Sequence, residues 1–156
     1  MKNQFRNSLF SLLGILLISA CHTDIIYHSY QSLPYKGWGK SDTLFFHVSL
    51  TDTFPTALKI SAEVRNRINY PYCNLYLFVR HNLPDSTIFR TDTLEFSLAN
   101  KDGQWLGKGW GGIYTSECPI RRNLPAHPGQ YTLKVTHGLK DEKVAGLSDI
   151  GIRIQK

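Results

Sequence analysis

Beyond the first twenty residues, hydrophobic and polar positions alternate along most of the chain. Leu44, Phe46, Val48 and Leu50 take turns with Phe45, His47 and Ser49, and Leu58, Ile60, Ala62 and Val64 with Lys59, Ser61 and Glu63. A period of two is that of an extended strand with one face in a core and the other in water. The habit returns at Leu75, Leu77 and Val79, at Leu94, Phe96 and Leu98, at Tyr131, Leu133, Val135 and His137, and at Ile150, Ile152 and Ile154. Between the runs fall Leu33-Pro34, Phe54-Pro55, Leu83-Pro84-Asp85, Lys101-Asp102-Gly103, His127-Pro128-Gly129 and Leu139-Lys140-Asp141, the chemistry of turns. No window shows a helical period, so crossover helices are lacking and neighbouring strands must run antiparallel. The pattern predicts an all-β domain over residues 41–156, an antiparallel β-sandwich of about seven or eight strands, with a small barrel as the alternative architecture.

The first twenty residues follow a different rule. Lys2 and Arg6 precede an apolar stretch from Leu9 to Ile18, the layout of an export signal and shorter than a comfortable membrane span. The stretch ends in Ile18-Ser19-Ala20-Cys21, an aliphatic residue, two small ones and a cysteine, which is the lipobox of bacterial lipoproteins. Residues 1–20 therefore read as a cleaved lipoprotein signal peptide and Cys21 as the lipidation site, its thiol carrying diacylglycerol and acyl chains such as palmitate. Each buried CH₂ contributes about 0.8 kcal/mol, so several chains hold a protein to a membrane nearly permanently. Residues 21–40, polar and rich in Tyr and Trp, read as a lipidated tether that docks onto the sandwich.

Processing changes the charge and cysteine accounts. The 156-residue chain carries +6, and loss of Lys2 and Arg6 leaves +4, a mild excess that in an exported protein speaks against nucleic acid and reads first as a solvated, mixed-charge surface, and at most as attraction to anionic lipid headgroups, peptidoglycan or an acidic partner. With Cys21 lipidated, Cys73 and Cys118 remain in an oxidising compartment. They would either form a disulfide, closing a long loop, or sit apart as two small apolar side chains.

Catalytic and cofactor motifs are weak. Asp42-Thr43 and Asp92-Thr93 are each followed by Leu, where the turn of an aspartic protease needs a small residue. Gly107-Lys108-Gly109-Trp110-Gly111-Gly112 fits a dinucleotide-binding spacing but leads into Ile113-Tyr114, with no helix to meet a pyrophosphate. The six histidines are scattered singly, without metal-ligand spacing. The chain thus reads as non-enzymatic, with no metal and no cofactor beyond the lipid on Cys21. Its aromatics carry more information. Trp38, Trp105 and Trp110, with the Gly-rich loop between the last two, are the candidate partner contacts; rings at such places also stack on sugar or plug the ends of a sandwich.

Taken in order, a set of short segments resembles the gliding-motility lipoprotein family GldH of Bacteroidetes. It runs through Tyr30-Gln31-Ser32-Leu33-Pro34, Gly37-Trp38, Arg65-Asn66, Tyr70-Pro71-Tyr72 and Asn74-Leu75-Tyr76-Leu77. It continues through Thr91-Asp92-Thr93-Leu94-Glu95-Phe96, Gly103-Gln104-Trp105-Leu106-Gly107-Lys108-Gly109, Tyr131-Thr132-Leu133-Lys134-Val135-Thr136-His137 and Asp149-Ile150-Gly151-Ile152-Arg153-Ile154. The resemblance implies a cell-envelope lipoprotein of gliding motility, associated with type IX secretion, whose partners are other envelope proteins of that machinery. It brings no catalytic residue; the lipid-bearing cysteine maps onto Cys21. His22-Thr23-Asp24 lacks the acidic run of a surface-export signal, which favours a periplasm-facing anchor in the outer membrane. The alternative function is a carbohydrate- or peptidoglycan-binding envelope lipoprotein.

Overall fold

A computed structural model describes residues 24–51, 57–83, 87–124 and 127–156. Among these residues the chain forms β1 (Ile25–Ser32), β2 (Trp38–Gly39), β3 (Leu44–Leu50), β4 (Leu58–Arg67), β5 (Asn74–His81), β6 (Arg90–Ser97), β7 (Lys108–Trp110), β8 (Ile113–Leu124), β9 (Gly129–His137), β10 (Lys143–Val144) and β11 (Leu147–Gln155). One sheet has the order β1-β11-β4-β8-β7, the second β3-β9-β5-β6, and β2 and β10 make a short separate ribbon. Every pairing is antiparallel.

The alternating positions put their apolar members between the sheets. Ile60, Ala62, Val64, Ile150, Ile152 and Ile154 from the first sheet and Val48, Leu75, Leu77, Val79, Leu133 and Val135 from the second form one core cluster. Each such side chain contributes about 1.5–3 kcal/mol when removed from water, so a single slip of register would expose a whole row. The two sheets remain open at their edges, so the fold is the sandwich and not the barrel.

Three elements depart from the pattern. Residues 25–32, read as tether, form β1 and pair with β11 from Ile25↔Gln155 to Ser32↔Asp149. Their outward side chains include His28 and Tyr30, which masks the alternation. β8 escaped because its inward positions include Ser116 and Cys118 and because Pro119 interrupts it; that proline lies where the register with β4 shifts between Ile60 and Ser61, a bulge that tolerates a missing amide donor. The third is Trp38, which closes one end of the core in the β2/β10 ribbon, its indole Nε1 donating to the Asp42 carbonyl at 2.8 Å.

The sandwich has two unlike ends. Ile25 of β1, Gln155 of β11 and Lys59 of β4 lie side by side, and Leu58 pairs with Leu124. Leu50 pairs with Gly129, so the end of β3 and the start of β9 also lie at this proximal end, where the chain arrives from residue 24. The distal end carries the β2/β10 ribbon and the β7–β8 hairpin.

Candidate functional site

On the outer face of the first sheet, the strand register lines up Tyr30, Gly151, Glu63 and Glu117 across β1, β11, β4 and β8. Glu63 is 4% exposed although it lies on the side away from the core. Gly151 explains part of this burial: a Cβ there would come within 2.6 Å of the Tyr30 ring, so the absent side chain leaves the space over which the ring reaches Glu63. The Tyr30 hydroxyl donates to Glu63 Oε2, and His28 Nε2 lies 2.8 Å from the same oxygen. Arg153 Nη1 stands 3.6 Å from Glu63 Oε1 and 3.7 Å from Glu117 Oε2, holding together two carboxylates that face each other across adjacent strands. Ser61 donates to Glu117 Oε1 at 2.6 Å, and the Arg65 guanidinium lies 3.7 Å from the Tyr30 ring centroid.

The electrostatics follow from this geometry. Burial raises the Glu63 carboxyl, but hydrogen bonds from Tyr30 and His28 and the charges of His28 and Arg153 outweigh it, leaving the pKa below its ordinary 4.5. Burial, then the anionic Glu63, pushes the Tyr30 phenol up to about 12. The carboxylate is thus ionised, the phenol is a donor, and both Glu63 oxygens are engaged. Beside this network a cleft of about 540 Å³ opens, lined by Glu63, Glu117, Arg153, Lys108 and Thr115 and walled by Leu106. Among the described residues no group of His, Cys, Asp and Glu converges to hold a metal ion.

The three tryptophans singled out from sequence separate. Trp38 is 1% exposed and edge-on to His137 at 5.3 Å, so it packs the core and offers no surface to a partner. Trp105 is half-buried against Tyr114, ring centroids 5.9 Å apart. Trp110 is 94% exposed at the tip of the β7–β8 hairpin, where Gly111 and Gly112 (φ +63° and +83°) make a two-residue turn. It is not alone: the Ile68 amide donates to the Gly112 carbonyl, and Ile68 is exposed, as is Tyr35, over which the Arg67 guanidinium lies at 5.4 Å. The distal end therefore gathers Tyr35, Ile68 and Trp110. Cys73 and Cys118 are separate free thiols, Cys73 exposed and Cys118 half-buried. Cys21 lies outside the described residues.

Sequence reading passed over Glu63 because an acidic residue at an outward position looks like ordinary surface. The available signal was Ile150-Gly151-Ile152, a side chain missing from the outward row where a long ring across the strand could lie.

The structure defines a β-sandwich carrying a locked carboxylate network on one face and exposed rings at one end, and among the described residues no helix is long and apolar enough to cross a membrane. Residues 25–154, effectively the whole described fold, match the family model described as GldH lipoprotein, and the chain belongs to that family. It is 26% identical to the gliding motility lipoprotein GldH of Flavobacterium johnsoniae, over 98% of each chain. It is also 26% identical to a gliding motility lipoprotein GldH homolog of Christiangramia forsetii, over 91% of this chain and 90% of the other. Among solved structures, a family GH115 4-O-methyl-alpha-glucuronidase is similar at a TM-score of 0.40 and 11% identity, over 85% of this chain and 18% of that one, a likeness that carries no argument. Membership in a lipoprotein family implies a membrane-anchored protein of the cell envelope.

Proposed function

We propose that the chain is a non-enzymatic accessory of gliding motility and of the associated type IX secretion, anchored by acyl chains on Cys21 in the outer membrane and facing the periplasm. The observation that carries this reading is the family match across residues 25–154, which takes in both sheets and the distal hairpin. Two features support it. Only His22, Thr23 and Asp24 separate Cys21 from β1, so an anchor there would keep the domain close to the leaflet, where weak contacts act at high effective concentration. In the network, Glu63 is already saturated by Tyr30, His28 and Arg153, which suits a group that fixes the sheet better than one that attacks a substrate. Trp110, with Ile68 and Tyr35 beside it, is the partner-contact face.

A clean deletion scored for surface spreading and for the profile of secreted proteins tests the role: loss of either supports it. Normal spreading and secretion, with the purified protein sedimenting with peptidoglycan, would instead favour the glycan-binding class. Labelling with palmitate tests the anchor. Wild type takes the label and Cys21→Ala does not; an unlabelled wild type ends the lipoprotein reading.

A further inference from the structure

The solvent face of the second sheet is not the polar surface usual for an antiparallel sheet with one wet side. Phe45 on β3, Phe78 on β5 and the adjoining Phe89 are exposed there. Among them Lys134 of β9 and Arg80 of β5 are direct cross-strand partners, and Phe45 pairs with Lys134 on the other side. Like charges set opposite each other repel. Here the rings hold them: the Lys134 ammonium lies 5.6 Å from the Phe45 centroid and 5.2 Å from that of Phe89, and the Arg80 guanidinium 5.3 Å from Phe89. Among the described residues, the strands of this sheet place one carboxylate on that face, Glu95, and it accepts from the Tyr76 hydroxyl at 2.7 Å.

We infer that this face is a membrane-docking surface that takes the anionic headgroups of the leaflet in which the protein is anchored, with the phenylalanines entering the interfacial region. Charge complementarity argues for the occupant: two neighbouring cations without an acid between them favour a surface dense in phosphates, each gaining about 1 kcal/mol near an anionic leaflet. Exposed rings beside cations are the composition of interfacial anchors. The chain's own geometry adds reach. Residue 24 adjoins β1, the edge strand of the first sheet, which meets β3 where Gln31 Nε2 donates to the Phe45 carbonyl, so the strand that an upstream anchor would precede borders the sheet that presents Phe45, residue 24 lying at its proximal end and Phe45 toward its distal end. The inference rests on the proposed lipid anchor and adds an orientation to it: the sheet bearing Glu63 and its cleft faces away from the bilayer.

The test uses the mature lipidated protein, reconstituted into vesicles of phosphatidylcholine with and without phosphatidylglycerol. Amine labelling is mapped by mass spectrometry at Lys134 and, for reference, at Lys36 and Lys101 toward the distal end. The expected result is that Lys134 labels at least about fivefold more slowly on the anionic vesicles, that high salt or Phe45→Ser with Phe89→Ser restores the rate, and that the references do not change. Vesicles that float the protein while Lys134 labels equally on both compositions overturn the docking face and leave the anchor standing. Failure to float on either composition overturns both. Protection of Lys134 in isolated envelopes but not on anionic vesicles assigns the face to a protein and also overturns the inference.

Discussion

At the scale of single residues, burial decides what an aromatic or ionisable side chain does, and sequence spacing does not report it. Trp38 and Trp110 are both followed by glycine, yet one closes the core and the other stands in water. Trp38→Ala should cost about 3–5 kcal/mol in a thermal or denaturant melt, whereas Trp110→Ala should stay within about 0.5 kcal/mol of wild type while weakening co-purification with envelope partners. His137 gives a pH prediction. Burial first, and the nearby Lys40 charge second, hold its pKa below the ordinary 6.5. The unfolded chain binds a proton that the folded chain refuses, so stability present above about pH 6.5 is lost as pH falls below it. Glu63, lowered from 4.5, adds a loss in the same direction at more acid pH. The melting temperature should therefore fall between pH 7 and pH 5, and His137→Leu should flatten that slope; an unchanged slope would show that another group titrates.

At the scale of elements, the strands with clean alternation, β3, β4, β5, β6, β9 and β11, were legible because the inward residues along most of their length are apolar, the polar ones such as Asn66, His81 and His137 falling at strand ends. β1 and β8 were not, since the network on the outer face places Tyr30 and Glu117 in them and the inward side of β8 carries hydroxyl and thiol. Backbone geometry was equally hidden. Gly146, at φ +84°, holds the turn before β11, and a Cβ there would come within 2.5 Å of Tyr70 Cα and 2.7 Å of its nitrogen. Gly146→Ala should cost at least about 2 kcal/mol, because neither the left-handed backbone nor the contact with main chain can relax cheaply. Gly111, at φ +63°, meets nothing within 4 Å. Gly111→Asn should fold normally, since asparagine adopts that conformation and the hairpin tip is open; paired melts of the two variants check the contrast.

At the scale of the whole molecule, the two-layer architecture followed from the period of two and the lack of helices, whereas the candidate surfaces arise only when distant strands meet. Tyr30, Glu63, Glu117 and Arg153 come from four strands, and the cation–aromatic cluster of the second sheet from three strands and the residues before β6. β11 lies between β1 and β4, so removing residues 150–156 should abolish cooperative unfolding rather than trim an edge, a result that circular dichroism would read directly. The same arrangement has a mechanical side. A pull arriving from upstream of Ile25 runs along β1 and strains its seven register pairs with β11 together, from Ile25↔Gln155 to Ser32↔Asp149, where a sideways pull would peel them one by one. Shear of this kind resists rupture better than unzipping, so the edge strand next to the proposed anchor is built to bear traction.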